Sequence, residues 1–249
     1  MSRQFLAAIS ALSILLVLTF TLVTNPSVSA SPQEITVVSR TKGHEVLTAE
    51  AVDNEVRIKL KNNHKDTITA YVITLSDTTI SEDFAYSDVH LGIEPGDTLE
   101  KSYPLSPLPG GSKLPTLHLL AVLLKDGTSD GDSKVAQAIT DERLGEKIQL
   151  HRMLKILQKE GSGKDIKALK GDVTAALDAG EYEVRVIRKE LLPASGMDDD
   201  LSQDLQNGLH WAREKMLREL QTLEELPTER QEQGLTRLKA RSQKLFAKL

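Results

Sequence analysis

Leu117-His118-Leu119-Leu120-Ala121-Val122-Leu123-Leu124, followed by Lys125-Asp126-Gly127-Thr128-Ser129-Asp130-Gly131-Asp132, is where the periodicity of this chain changes. The first eight residues form a short, continuously apolar run, the signature of a central strand covered on both faces. The next eight are turn formers and oxygen-bearing side chains. Beyond them apolar residues recur every three to four positions, starting at Val135 and Ile139, which is a helical repeat. The chain therefore divides at about residue 133 into a β part and an α part.

Upstream of the division lie six further runs of alternating or β-branched residues: Glu34-Ser39, Glu45-Asp53, Glu55-Lys61, Thr67-Ser76, Ala85-Leu91 and Thr98-Leu105. Val56, Ile58 and Leu60 alternate with Arg57, Lys59 and Lys61, which places a core on one side of that strand and water on the other. Asp53-Asn54, Asn62 to Asp66, Glu94-Pro95-Gly96-Asp97 and Gly110-Gly111 separate the runs and suit turn dihedrals. With Leu117-Lys125 this makes seven strands, whose spacing predicts an all-β immunoglobulin-like sandwich. The connector from Pro104 to Pro115 holds four prolines and reads as a rigid crossover between sheets, with a binding loop as the alternative.

Downstream, Lys134-Glu160, Asp165-Ala179, Glu181-Leu192, Asp198-Leu226 and a last segment from Pro227-Thr228 carry helical patterns. Gly145 is the weak point of the first, Gly180 is a stop for the second, and Thr228 with Gln231 fits a capping box. Leu201, Leu205, Leu209, Ala212, Met216, Leu220 and Leu223 are spaced 4, 4, 3, 4, 4 and 3 apart, near the ordinary helical repeat and not the 3.5 of a supercoil. The expected architecture is a two-part chain, the sandwich over 31–133 followed by an all-α helical bundle over 134–249.

Arg3, the apolar run Phe5 to Val23, Pro26 and Val28-Ser29-Ala30 have the layout of a signal peptide over residues 1–30, cleaved after Ala30. The protein is thus expected to be exported, periplasmic or extracellular; an uncleaved membrane anchor is the alternative, because nineteen residues approach a spanning length. The chain has no cysteine, which excludes disulfides and thiolate chemistry. Residues 31–133 hold 9 basic and 16 acidic side chains, and residues 134–249 hold 21 and 20. Neither part has the basic excess of a nucleic-acid binder.

The densest oxygen-rich segment is the one after the apolar strand. Asp126, Thr128, Asp130 and Asp132 supply oxygens at alternate positions, with Gly131 at a sharp turn, as a calcium loop requires. Gln137 stands where such a loop needs a bidentate carboxylate, so the competing reading is a turn into the first helix capped by Ser133 or Asp132. Asp198-Asp199-Asp200 reads as charge placed at a helix start rather than a metal site. The histidines, at 44, 64, 90, 118, 151 and 210, lack the paired spacing of a zinc site. His90 lies near Asp83, Asp88 and Glu94 in sequence. Gly161-Ser162-Gly163-Lys164 lacks the glycine, the preceding strand and the hydroxyl residue of a phosphate loop, and reads as a linker. No nucleophile elbow or Ser/Lys motif occurs.

In the last helix Leu235, Leu238, Leu245, Phe246 and Leu249 share one arc, while Arg237, Arg241, Lys244 and Lys248 lie opposite. Such a helix can lie on an anionic membrane surface or dock on an acidic partner. An ordinary bundle helix with a solvated basic face is the simpler reading.

The segments Val56-Arg57-Ile58-Lys59-Leu60-Lys61-Asn62-Asn63, Ile68-Thr69-Ala70-Tyr71-Val72 and Gly92-Ile93-Glu94-Pro95-Gly96 resemble immunoglobulin-like modules of exported bacterial proteins. Leu124-Lys125-Asp126-Gly127-Thr128, then Gly131-Asp132 and a helix, look like uncharacterised exported bacterial proteins that couple such a module to a helical region. The chain departs from antibody-type domains in lacking the cysteine pair and the strand tryptophan, its one tryptophan being Trp211. No activity comes with the resemblance. The leading expectation is an exported non-catalytic module that meets a protein partner in the cell envelope, or the envelope itself. The alternatives are weak calcium binding at 126–132 and an envelope-polymer hydrolase using Asp83, Asp88 and Glu94.

Overall fold

The computed structural model describes residues 32–53, 55–75, 78–86, 92–104, 114–159, 165–178, 180–193 and 200–249. Among them are nine strands: β1 (Gln33–Glu34), β2 (Val37–Ser39), β3 (His44–Val52), β4 (Glu55–Asn62), β5 (Ile68–Leu75), β6 (Thr78–Asp83), β7 (Thr98–Pro104), β8 (Leu117–Leu124) and β9 (Ser129–Gly131). A single 3-10 turn covers Phe84–Tyr86. Five helices follow: α1 (Ser133–Lys159), α2 (Ile166–Leu177), α3 (Glu181–Leu191), α4 (Gln203–Glu224) and α5 (Thr228–Lys248). Strands precede helices, as the change of periodicity predicts.

The strand arrangement corrects the immunoglobulin-like expectation. One sheet has the order β1-β3-β4-β7, and the other has β2-β8-β5-β6 with β9 also paired to β8. The consecutive strands β3 and β4 form a hairpin within one sheet, β2 joins β8 in parallel, and β2 and β9 divide one edge of β8 between them. Nine strands in this order do not make a clear immunoglobulin domain. Spacing of apolar runs counts strands but does not say which strand pairs with which, and that is where the expectation failed. The run Glu34-Ser39 is two strands in different sheets, with Ile35 buried at the switch. The run beginning at Ala85 opens as a 3-10 turn, and residues 87–91 lie outside the described residues.

Alternation in β4 does place Val56, Ile58 and Leu60 in the core. They meet Tyr71, Ile73 and Leu75 of β5 and Leu117 and Leu119 of β8 in one apolar cluster between the two sheets. The other face of β8 and β5 is covered by α1: Ala70, Val72 and Leu123 pack with Ile139, and Leu120 and Val135 lie at the margin. This double cover explains why β8 reads as continuously apolar.

The helix α1 is the strut of the molecule. Its first turns lie on the sheet, and its later residues Leu150, Met153 and Leu157 form a core with α2, α4 and Leu238 of α5. Leu144 and Ile148 form a second cluster with Val184 and Ile187 of α3 and Leu205 of α4. Gly145 is not a weak point but a crossing point, since a Cβ there would lie 2.3 Å from the Leu205 carbonyl oxygen. Glycine at this position lets two helix backbones meet. The other helix ends also differ from expectation. Gly180 precedes α3 as its N-cap, with φ −66°, while Asp178 closes α2. Pro227 precedes α5 without a side-chain cap, and Gln231 Nε2 instead donates back to the carbonyls of Glu224 and Leu226.

Candidate functional site

The segment after β8 folds as a hairpin that delivers the chain to α1. Asp126 Oδ1 accepts from the Thr128 amide at 2.8 Å and from its hydroxyl at 2.6 Å. Those bonds hold the Asp126 carboxyl below the usual carboxylate range. Asp130 Oδ2 accepts from the amides of Lys42 and Gly43 at 2.7 and 3.0 Å. Asp132 accepts from the amides of Lys134 and Val135 and meets Arg40 at 3.1 Å, which makes it the cap of α1. Gly131 has φ +100° and lies against β8, where a Cβ would come within 2.3 Å of the Leu120 carbonyl. All four residues proposed as calcium ligands thus make local contacts, Asp126 and Thr128 in a turn, Asp130 to the Lys42-Gly43 bend and Asp132 as a helix cap. Among the described residues no group of three or more His, Asp or Glu side chains is placed to hold a metal ion.

Two of the acidic residues proposed for hydrolysis, Asp83 and Glu94, are likewise engaged. Asp83 accepts from Arg143 Nε and Nη2 at 2.6 Å each. Glu94 Oε2 accepts from the Thr67 hydroxyl at 2.7 Å. Asp88, His90 and Asp198-Asp199 lie outside the described residues, as do residues 105–113 of the proline-rich connector and the linker 161–164. Ser202 caps α4 by accepting from the Leu205 amide, and its hydroxyl donates to Asp141 at 2.6 Å.

The C-terminal helix turns its apolar arc inward. Leu238 is buried, and Leu235, Leu245, Phe246 and Leu249 pack against the bundle core. Arg237, Arg241 and Lys244 remain exposed. This packing builds a groove where α1, α4 and α5 meet the 3-10 turn. One concavity of about 200 Å³ is lined by Ala85, Glu146, Lys215, Arg241, Lys244 and Lys248 among others. A second, of about 240 Å³, lies between α1 and α4 beside Glu142, Gly208, Trp211 and Arg218. Glu146 and Lys215 border both, so the two concavities are neighbours.

Trp211 lines the second concavity and is 66% exposed. It lies roughly 120° around α4 from the centre of the buried stripe at 100° per residue, and its ring and that of His210 are steeply inclined with centroids 6.3 Å apart. The floor is the closest approach of α1 and α4, because a Cβ on Gly208 would lie 2.1 Å from the Glu142 carbonyl oxygen. At the boundary Glu146 is buried and faces Lys215 Nζ at 3.7 Å. Burial pushes the Glu142 carboxyl up, and the carboxylates of Asp204 and Asp83 push it the same way. Beneath the site α1 also buries Gln149 and Arg152. Arg152 Nη1 donates to Gln149 Oε1 at 3.1 Å, and burial draws its guanidinium pKa down against the opposing effect of Glu183.

The residue pattern does not point directly to this groove. Trp211 does carry one signal, being a large aromatic residue placed off the apolar stripe of its own helix, where burial cannot account for it.

Among the described residues no helix is long and apolar enough to cross a membrane. Comparison with protein-family models, curated proteins and solved structures finds no match for this chain.

Proposed function

We propose that this protein is a non-catalytic interaction module of the cell envelope whose docking surface is the groove between α1 and α4. Export rests on the amino-terminal layout of Arg3, the apolar run and Ala30. The observation that carries the docking reading is Trp211, the only tryptophan in the chain, left 66% exposed beside a concavity with a rigid, glycine-crossed floor. Exposed tryptophan beside a concavity is the composition of an interface hot spot, since its ring gains much area for little entropy once covered. Asp83, Glu94, Asp126, Asp130 and Asp132 are engaged in an ion pair, a hydroxyl contact, turns and a helix cap.

The test is site-specific photo-cross-linking in intact cells, with a photoreactive phenylalanine in place of Trp211 and, as control, at exposed Lys125 on the far part of the chain. A discrete adduct from position 211 and none from 125 is expected. Equal labelling at both positions, or none at either, would overturn the docking reading.

A further inference from the structure

We propose that the concavity beside Trp211 receives an arginine side chain of the partner protein, held between the indole ring and the Glu142 carboxylate. The statement rests on the docking reading above and adds the chemistry of the residue that docks. Four charged side chains line this concavity, Glu142, Glu146, Lys215 and Arg218. Glu146 and Lys215 face each other at 3.7 Å. Glu142 and Arg218 remain, and they lie at opposite ends.

The Glu142 carbonyl lies against Gly208 of α4, where a Cβ would come within 2.1 Å of it. Trp211 is three residues farther along that helix, about 4.5 Å at 1.5 Å per residue, whereas Arg218 is ten residues farther, about 15 Å. Charges more than about 8 Å apart are largely screened at physiological ionic strength, so Arg218 does little for Glu142. The Trp211 end of the concavity is therefore acidic. Asp204, one turn before Gly208, adds to it from the first turn of α4, where the helix amides favour its charge.

Among the described residues neither the Glu142 nor the Asp204 side chain has a hydrogen bond or an ion pair. Asp83, the other acid that acts on Glu142, is matched by Arg143. Glu142 is thus an exposed residue whose charged form is disfavoured by partial burial and by like charges, with no cation to relieve it.

An arriving cation relieves that carboxylate and meets the indole face in the same step. Tryptophan is the best aromatic platform for a cation, and the attraction grows as water leaves the site. Arginine suits the pair better than lysine, because its planar guanidinium both stacks on a ring and forks onto a carboxylate. Backbone meets backbone where α1 crosses α4, so the two elements that carry Glu142 and Trp211 keep their spacing as the site fills. The rest of the molecule favours the same partner. With a net charge of −5, and 16 acidic against 9 basic side chains in residues 31–133, it draws a basic segment and repels an anionic bilayer.

Trp211 being the sole tryptophan, the intrinsic fluorescence of the purified full chain reports whether its ring is covered. The probe is a short tryptophan-free peptide with one central arginine between glycines. Citrulline, the uncharged isostere, lysine and glutamate replace the arginine in three control peptides, and phosphatidylglycerol vesicles are a fourth control. The arginine peptide is expected to give a saturable shift of the emission to shorter wavelength, with a weaker response to lysine and an affinity roughly tenfold above that of citrulline. Glu142→Gln should lower the affinity roughly tenfold, while Arg218→Gln, in the same concavity, should leave it within about twofold. Circular dichroism checks both folds, and if Glu142→Gln does not fold, the arginine-to-citrulline ratio in the unmodified chain decides.

No shift with the arginine peptide, an equal response to any replacement peptide, unchanged affinity in Glu142→Gln, or a shift with vesicles would overturn the inference. A partner cross-linked at position 211 with equal yield in a Glu142→Lys background would overturn the arginine assignment and leave the docking reading standing. Absence of any adduct there would remove both.

Discussion

Arg143 of α1 holds Asp83 of β6 through two hydrogen bonds of 2.6 Å, and the same guanidinium donates to the Thr69 carbonyl at 3.0 Å and its hydroxyl at 3.2 Å. The pair is largely buried, with 13% and 12% of the two side chains exposed. It ties the first helix to the edge of the second sheet. Removing one partner leaves a charge without its counterpart in a dry place, so Asp83→Asn is expected to cost about 3 kcal/mol of stability. Arg143→Gln should cost a similar amount, and the double variant less than the two together. Urea denaturation followed by circular dichroism measures all three. Additive losses would show that the two side chains do not act as a pair.

Glycine substitutions in the helices should have opposite signs at different positions. Ala stabilises a helix interior over Gly by about 1 kcal/mol when nothing is in the way. At Gly171 of α2 a Cβ would meet nothing within 4 Å, so Gly171→Ala is expected to raise the melting temperature. At Gly145 and Gly208 it would meet the partner helix backbone at 2.3 and 2.1 Å. Backbone cannot swing aside as a side chain can, so α1 and α4 must separate, at a cost of roughly 1–3 kcal/mol. Thermal melts of the three single variants settle the comparison, and a stabilised Gly208→Ala would mean the crossing is looser than the geometry requires. The same separation would widen the groove beside Trp211.

The long periodic segments were legible because each carries its own signal over many residues. The alternation Val56, Ile58, Leu60 and the stripe from Leu205 to Leu223 both specify a buried face, and both faces are buried. The strands β6 and β9 were not legible. Thr78–Asp83 contains one apolar residue, and Ser129–Gly131 contains none; both strands are recruited by pairing with β5 and β8, a tertiary effect that local pattern does not encode. Strand order was invisible for the same reason. Of the groove, the basic face of α5 was legible and its inward apolar arc was one of two readings. The role of Lys215 and Glu146 needed the crossing of α1 and α4, which two glycines permit but do not announce.

Tyr71 and Tyr103 hydrogen-bond to one another through their hydroxyls in the core between the sheets. Burial, more than any neighbour, raises both phenols, that of Tyr103 to about 12, so both stay protonated and each hydroxyl depends on the other. Tyr71→Phe strands the Tyr103 hydroxyl and should cost about 1–2 kcal/mol. Replacing both by Phe removes donor and acceptor together and should recover much of that loss. A double variant no more stable than the worse single one, by chemical denaturation, would show that packing and not the hydroxyl pair sets the cost.

His151 of α1 gives the bundle a pH dependence whose sign follows from its surroundings. Its ring stacks on Phe246 of α5 with centroids 6.0 Å apart. Burial lowers its pKa first and the Lys155 ammonium adds to that, while Glu190, 3.5 Å from Nε2, opposes both. Lys147, over the other ring of the stack, also faces this corner. The folded protein therefore binds a proton here less readily than the unfolded chain. Its contribution to stability is present in full above the ordinary histidine value near 6.5 and is lost as pH falls through the lower folded pKa. Melting temperatures of the wild-type chain should fall between neutral pH and about pH 5, and His151→Gln, which cannot titrate, should flatten that part of the profile. An unchanged slope in the variant would assign the pH dependence to other groups.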